Sequence, residues 1–274
     1  FRLAGKRLHT AKDQLDTRTL AASGFSQTYK YTYADTAAGE LASVKVDNAT
    51  VFRKADVLGR EAGKSITHGS TKIAEEQIAY LKFGDRATTL PSTVRYATSE
   101  NGRFAFRDSL RYRYSENGQI TGIFANGLLS DRYEYDAAGR LVREDNTAFG
   151  KTTTWVYDSN GNRIAERIYP LTDKPTEELY TLTATETLYA YDGDKLLSRG
   201  NESITYDTVG NPTSYRGHTL AWAFGRRLTG FGSTTFTYDA RGRRIGKGAL
   251  TFLYDESGNL LSQSNGLSFL YDHT

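Results

Sequence analysis

The chain reads as an all-β protein, antiparallel β-hairpin repeats forming a long curved or spiral sheet. Three features predict this. A unit of the form Tyr-Asp-x-x-Gly-Asn/Arg recurs through the second half; apolar or aromatic residues stand two apart immediately before each copy; and the 274 residues include 19 Tyr and 26 Gly but only 4 Pro and no Cys. Recurrence at a fixed period marks a repeat architecture. Spacing of two puts side chains on one face of a strand, and a composition this aromatic lies outside the disordered range.

Region 1–111 carries worn copies of the unit. Residues 33–39 hold one inserted residue, and Asp56-Val57-Leu58-Gly59-Arg60 has lost its tyrosine. Residues 72–81 contain helix formers, but Ile78 and Tyr80 alternate, so the stretch reads as a strand. Region 112–274 is regular and continuous with the first. Its copies begin at Tyr114, Tyr135, Tyr157, Tyr206, Tyr238 and Tyr254, with a compressed one at Tyr191 and a degenerate one at Trp222. The anchor positions 207, 223, 239, 255 and 272 are 16, 16, 16 and 17 residues apart. Two strands of about 5 residues and two short turns need about 16 residues, so each period holds one hairpin.

The copy at Tyr114 lacks the aspartate; the other five regular copies have a turn signature, Asp136/Gly139, Asp158/Gly161, Asp207/Gly210, Asp239/Gly242 and Asp255/Gly258. Aspartate suits the first position of a type I turn because its carboxylate accepts backbone N–H groups, and glycine suits the left-handed position that ends it. The aromatic ladder before the turns is Tyr133/Tyr135, Trp155/Tyr157, Tyr189/Tyr191, Tyr206, Trp222, Phe236/Tyr238 and Phe252/Tyr254, followed by Phe269/Tyr271. These rings are expected to pack across strands while the tyrosine hydroxyls reach water on a half-wet face. Residues 169–176, with Pro170 and Pro175, read as an exposed loop inserted between hairpins, a place for mobility and proteolysis.

Little else in the sequence carries chemistry. The absence of cysteine removes thiol nucleophiles, disulfides and Cys-ligated zinc. His9, His68, His218 and His273 have no metal-ligand spacing, and no nucleophile elbow, phosphate loop or EF-hand pattern occurs. No catalytic, cofactor-binding or metal residue is therefore assigned, and no cofactor is expected. The glutamate pairs Glu75-Glu76 and Glu177-Glu178 read as solvated edges. Asn48-Ala49-Thr50 and Asn201-Glu202-Ser203 match a glycosylation sequon that arises readily by chance. Net charge is +3, with both signs interspersed, so no nucleic-acid partner is expected; no apolar run reaches the ~18 residues of a membrane helix.

The repeated units resemble the RHS or YD-repeat family, whose signature is Tyr-x-Tyr-Asp-x-x-Gly-Asn/Arg; the instances at 133–141 and 204–211 match it well. The resemblance is good from about 112 to 272 and weaker from 1 to 99. It implies a hairpin ribbon wound into a hollow shell that, in bacterial members, encloses a toxic C-terminal domain of a secreted or cell-surface protein. No Asp-Pro dipeptide is present, so the family's autoproteolytic motif is not carried over. The chain reads as a shell segment of a longer polypeptide, not an enzyme, with its own downstream core and toxin domains as partners. The alternative is an extracellular glycan-binding or adhesion module that stacks aromatic rings and Arg226-Arg227 or Arg243-Arg244 on acidic sugars. An open-ended ribbon is expected to self-associate through its strand edges.

Overall fold

A computed structural model describes residues 4–9, 14–22, 25–35 and 39–269. Tyr271, the anchor at 272 and His273 lie outside the described residues, as do the side chain of His9 and part of the copy at 33–39. The regular structure of the described residues is strand throughout, apart from one 3-10 helix, Thr176–Thr181. No helix among them is long and apolar enough to cross a membrane. The chain divides into two compact units: residues 1–112, 124–128 and 253–274 form the first, and residues 113–123 and 129–252 the second.

The first unit contains β1 (Ala4–His9), β2 (Leu15–Ala22), β3 (Phe25–Tyr33), β4 (Leu41–Val46), β5 (Ala49–Ala55), β6 (Glu61–His68), β7 (Thr71–Phe83), β8 (Arg86–Glu100) and nearly all of β9 (Arg103–Tyr114). Each pairs antiparallel with the next, and residues 72–81 lie within β7. The core sits on one face, where Tyr29, Tyr31, Val44 and Val46 are buried. The last part of the chain completes it, since Leu261 is 2% exposed within this cluster and Leu253 packs against it. A buried ion pair accompanies the apolar contact: Arg18 Nη1 donates to Asp255 Oδ2 at 3.0 Å across 237 residues of sequence. The final hairpin thus covers strands that the sequence left as an open sheet face.

The second unit takes most of β10 (Ile120–Ala125) and β11 (Leu128–Tyr135), then β12 (Leu141–Asn146), β13 (Lys151–Tyr157), β14 (Arg163–Pro170), β15 (Thr185–Asp192), β16 (Lys195–Arg199) and β17 (Glu202–Ser203). From β11 to β17 each again pairs with its successor. The ladder then breaks, and β18 (Ser214–Tyr215) begins a second sheet with β19 (His218–Ala223), β20 (Arg227–Phe231), β21 (Thr234–Tyr238) and β22 (Arg244–Lys247). At the break only an isolated bridge, Tyr206 to Pro212, is left. Proline has no N–H to give a ladder. Pro212 stands where other copies have Leu141 or Leu260. The final strands are β23 (Leu250–Tyr254), divided between the units, and β24 (Leu260–Gln263) in the first.

Two kinds of turn alternate along much of the chain, with tight turns replacing the Asp-x-x-Gly kind at Gly84-Asp85 and Gly193-Asp194. One end of the hairpins carries the Asp-x-x-Gly turns. The other carries two-residue turns such as Asp47-Asn48 between Val46 and Ala49, and Asn101-Gly102 between Glu100 and Arg103. Asp47, Asn101 and Asn126 take positive φ there, the conformation that tight hairpins require and that Asn and Asp tolerate best.

Candidate functional site

The recurring turn is the most elaborated local structure. In the copy at 135–140, the Gly139 N–H donates to the Asp136 carbonyl at 2.9 Å, closing a type I turn, and the Asp136 N–H donates to the Arg140 carbonyl at 3.0 Å. Gly139 has φ +79, the left-handed conformation that side chains disfavour. The carboxylate then stitches the loop from inside: Oδ1 accepts from Ala138 N–H (3.0 Å) and Arg140 N–H (2.9 Å), and Oδ2 accepts from Arg140 Nε (2.7 Å). The same set of side-chain bonds recurs at Asp158, Asp207 and Asp239, and at Asp56 in the copy without tyrosine. Asp255 binds Asn259 through both its backbone and side chain. The closing glycine bond recurs as well: the Gly210 N–H donates to the Asp207 carbonyl and the Gly258 N–H to that of Asp255, each at 3.1 Å.

These bonds stabilise the ionised carboxylate. The Arg140, Asn211 and Arg243 backbone N–H groups hold Asp136, Asp207 and Asp239 below the usual carboxylate range, and the Asn162 side chain does the same for Asp158. Ser115 does part of the work in the copy at 114–119, where its hydroxyl accepts from Gln119 N–H at 3.2 Å.

The fifth residue of five of the turns also reaches forward into the following part of the chain. Arg140 Nη1 donates to the Asp158 carbonyl at 3.0 Å. Asn162 Nδ2 donates to the Gly193 carbonyl and Asp194 Oδ1 at 3.3 and 3.1 Å, and Asn211 Nδ2 to the Gly225 carbonyl at 2.7 Å. Gln119 Nε2 donates to the Gly139 carbonyl at 3.0 Å, and Arg60 to that of Thr88. The Asn/Arg ending of the motif therefore has two tasks, closing its own turn and fastening the next.

This close approach gives some of the turn glycines a second reason to be there: a Cβ on Gly242 would lie 2.9 Å from Arg227 Nη2. It does not extend to every copy. Gly161, Gly210 and Gly258 are exposed, and a Cβ on any of them would meet nothing within 4 Å. At Gly210 and Gly258 the left-handed backbone alone, φ +85 and +91, calls for glycine. The five turn signatures are thus alike in conformation and unlike in packing.

The aromatic ladder is fastened toward earlier strands. Tyr135 Oη donates to the Ile120 carbonyl (2.9 Å), Tyr157 to Leu141 (2.7 Å), Tyr206 to Leu196 (2.6 Å) and Tyr238 to Leu228 (2.7 Å). Trp222 Nε1 fills the same role toward the Pro212 carbonyl at 2.7 Å. The expectation that these hydroxyls face water is corrected: each of the four satisfies a backbone acceptor of an earlier strand. A β-bulge makes the reach possible. The register slips between Glu134 and Tyr135, Val156 and Tyr157, Ala190 and Tyr191, Ala221 and Trp222, and Thr237 and Tyr238, turning the ring relative to a regular strand.

The other ladder members have varied surroundings. Burial pushes the Tyr133 hydroxyl up to about 12, while Tyr189 faces Arg199 across the ladder. Trp155 Nε1 donates to Glu166 Oε2 at 3.0 Å, and the Arg244 guanidinium lies 4.3 Å above the buried Phe236 ring. Phe252 and Tyr254 lie in β23.

A second constellation lies where the inserted loop meets β12 and β13. Arg143 is fully buried; its Nε donates to Asp145 Oδ1 (2.9 Å), Nη1 to the Lys174 carbonyl (2.8 Å) and Thr176 Oγ1 (3.0 Å), and Nη2 to the Thr172 carbonyl (3.0 Å). Asp145 also accepts from Arg132 Nε (2.5 Å) and Thr152 Oγ1 (2.8 Å). The sequence made residues 169–176 an exposed, mobile loop. Pro170, Leu171, Asp173, Pro175 and Thr176 are indeed exposed, but Tyr169 is buried and one arginine fastens three groups of the loop, so the stretch is tied down where mobility was expected. No group of three or more His, Asp or Glu side chains among the described residues is placed to hold a metal ion.

Residues 135–174 match the family model described as RHS Repeat, a span that begins at the first full Tyr-Asp turn and ends inside the Arg143-bound loop. A stretch of 53 residues, 19% of this chain, is 45% identical to the toxin protein Tse5 of Pseudomonas aeruginosa, of which it covers 4%. Among solved structures, a Photorhabdus luminescens Tc holotoxin pore is similar over 94% of this chain and 18% of its own, at 12% identity and TM-score 0.46. A TcdB2–TccC3 crystal structure is similar over 92% and 15%, at 11% identity and TM-score 0.36. The chain thus spans less than a fifth of each of these proteins.

Proposed function

We propose that this chain, a member of the RHS/YD-repeat family, is a length of wall in a larger exported, toxin-associated protein, and that it works by enclosing a downstream toxic domain rather than by catalysis. One observation carries the reading. The polar groups of the repeat, which in an enzyme would converge on a substrate, are used to bind one turn to the next: Asp136 is closed by Arg140, Arg140 holds the Asp158 carbonyl, Asp158 is closed by Asn162, and Asn162 holds Gly193. A wall must remain continuous under attack at any point, and stitching between neighbouring repeats provides that continuity. The match to a toxin protein supports the association with toxins.

The glycan-binding alternative needs open ring faces. Several rings carry a cation instead, with Arg140 4.8 Å above Tyr157 and Lys195 4.3 Å above Tyr206. Enclosure is tested in the full-length protein by digestion with a broad protease. The domain downstream of the repeats should survive in the wild type and be cut at least tenfold faster when Asp136, Asp158 and Asp207 are replaced together by Ala. Equal digestion with and without the repeat segment sinks the proposal.

A further inference from the structure

The strand register of the first unit sorts its charges onto one face. Residues directly opposite each other in an antiparallel pair share a face. Tyr29↔Val46 and Tyr31↔Val44 belong to the core face, so Lys30↔Lys45 and Thr32↔Ser43 belong to the other. Following the pairs Ser43↔Phe52, Lys54↔Gly63, Ser65↔Glu75, Gln77↔Arg95 and Thr93↔Arg111 extends that second face from β3 to β9. It carries six exposed cations, Lys30, Lys45, Lys54, Lys72, Arg95 and Arg111, among threonines and serines. The acid on this face in the paired stretches is Glu75, which is buried and already bound by Lys54 and Lys72 at 2.7 Å each.

Two details show that the charge is not settled within the chain. Lys30 and Lys45 are direct cross-strand neighbours, an arrangement of like charges that costs stability, and neither has an ion pair among the described residues. Arg95 and Arg111 lie flat on rings, 4.2 Å from the Phe106 centroid and 3.8 Å from that of Phe124. A stacked guanidinium keeps its N–H edge open for a carboxylate fork. It also covers the ring, so neither Phe106 nor Phe124 offers this face to a nucleobase or a sugar. Arg95 and Arg111 stand on adjacent strands two residues out of register, about 7–8 Å apart at their backbones, close to the repeat of same-side residues in an extended chain.

We propose that this cationic face is a docking surface for an acidic segment of polypeptide lying extended across the strands, its alternate carboxylates received by Arg95, Arg111 and the lysines. The assignment is independent of whether the wall encloses anything. It is tested on the 274-residue chain with fluorescent poly-L-glutamate, oligothymidylate and heparin as probes at low salt, and again at roughly 0.5 M NaCl, where exposed charges are strongly screened. Poly-L-glutamate should bind tightest and be released by salt. Replacing Lys30, Lys45, Arg95 and Arg111 together by Gln should weaken it at least tenfold without lowering the melting temperature, since the Lys30–Lys45 repulsion is removed. Should that variant melt early, the Lys30→Gln/Lys45→Gln pair carries the test with an expected loss of about threefold. A control that removes four exposed cations elsewhere, at Arg103, Lys151, Arg241 and Lys247, should bind as the wild type does. No binding of poly-L-glutamate, an equal loss in the control, or tighter binding of oligothymidylate or heparin would overturn the assignment.

Discussion

Replacing Arg143 by Met keeps the length and apolar stem of the side chain and removes its five donors. Four of the bonds lost have partners within 3.0 Å, and three of those partners, the Thr172 and Lys174 carbonyls and the Thr176 hydroxyl, belong to the loop. Breaking a buried ion pair by removing one partner costs about 3–5 kcal/mol, largely because the other charge is stranded. Asp145 is not stranded, since Arg132 and Thr152 remain on it, so the low end applies, about 3 kcal/mol. At about 1.4 kcal/mol per factor of ten, that is roughly a 100-fold rise in the open population of the loop. A protease specific for glutamate reads this directly, because Glu177 and Glu178 lie in the 3-10 helix of the loop. Cleavage there should accelerate about 100-fold in Arg143→Met, with faster hydrogen exchange at the Leu182 N–H that donates to the Leu179 carbonyl. Cleavage within threefold of the wild type would mean that Leu179 and Tyr169 hold the loop without the arginine, and the reasoning would fail.

Other substitutions probe separate parts. Glu75 is held at about 2, below its ordinary 4.5, chiefly by the Lys54 hydrogen bond. Its stabilisation is therefore complete above pH 4.5 and disappears as pH falls toward 2. The lysine partners are 47% and 42% exposed, so Glu75→Gln should cost only about 1–2 kcal/mol at neutral pH, and acid titration of the melting temperature should bring variant and wild type together only as pH falls to about 2. Gly139→Ala meets both an unfavourable φ and Gln119 Nε2 at 3.3 Å, whereas Gly161→Ala, at φ +91, meets nothing within 4 Å. Denaturant melts should show a loss of about 1–2 kcal/mol for each from the backbone alone, with Gly139→Ala the larger and Gly210→Ala, equally unobstructed, matching Gly161→Ala. Tyr135→Phe leaves the Ile120 carbonyl without its donor and should cost about 1 kcal/mol, while Tyr189→Phe, whose hydroxyl makes no such bond among the described residues, should be near neutral by the same melts.

Much of the fold was readable in one dimension because its determinants are local. Asp and Gly three apart specify a turn whatever surrounds them, and rings two apart specify a face. Gly210 and Gly258 show how local this is, since nothing beyond their own turn constrains them. The bulge at Tyr135, Tyr157 and Tyr238 and the destination of each hydroxyl were not readable, since both depend on the backbone of a neighbouring strand. Arg143 gave no signal: in Leu141-Val142-Arg143-Glu144-Asp145 it resembles an ordinary outward charge, and its burial follows only from a loop that returns 29 residues later. The packing of Leu261 and Asp255 on β2 to β4 was equally hidden, because no local pattern encodes a contact across 237 residues. The Asn/Arg position was the nearest miss. Its restriction to two side-chain donors, Asn and Arg, was visible, but the second acceptor that some of them reach lies in the following repeat.

The two sorts of turn make the two margins of the sheet unequal in what they let evolution or an engineer do. Lengthening an Asp-x-x-Gly loop by one residue would break its own ring of bonds and also the grip its last side chain has on the neighbour. At the opposite margin the two-residue Asn101-Gly102 turn carries no such side-chain link to a neighbouring turn among the described residues. The one long excursion in the second unit, between β14 and β15, emerges from that same margin. Grafted peptides, tags or new recognition loops should therefore be accepted there at little cost to folding, while a graft of the same length on the stitched side would unravel two hairpins at once.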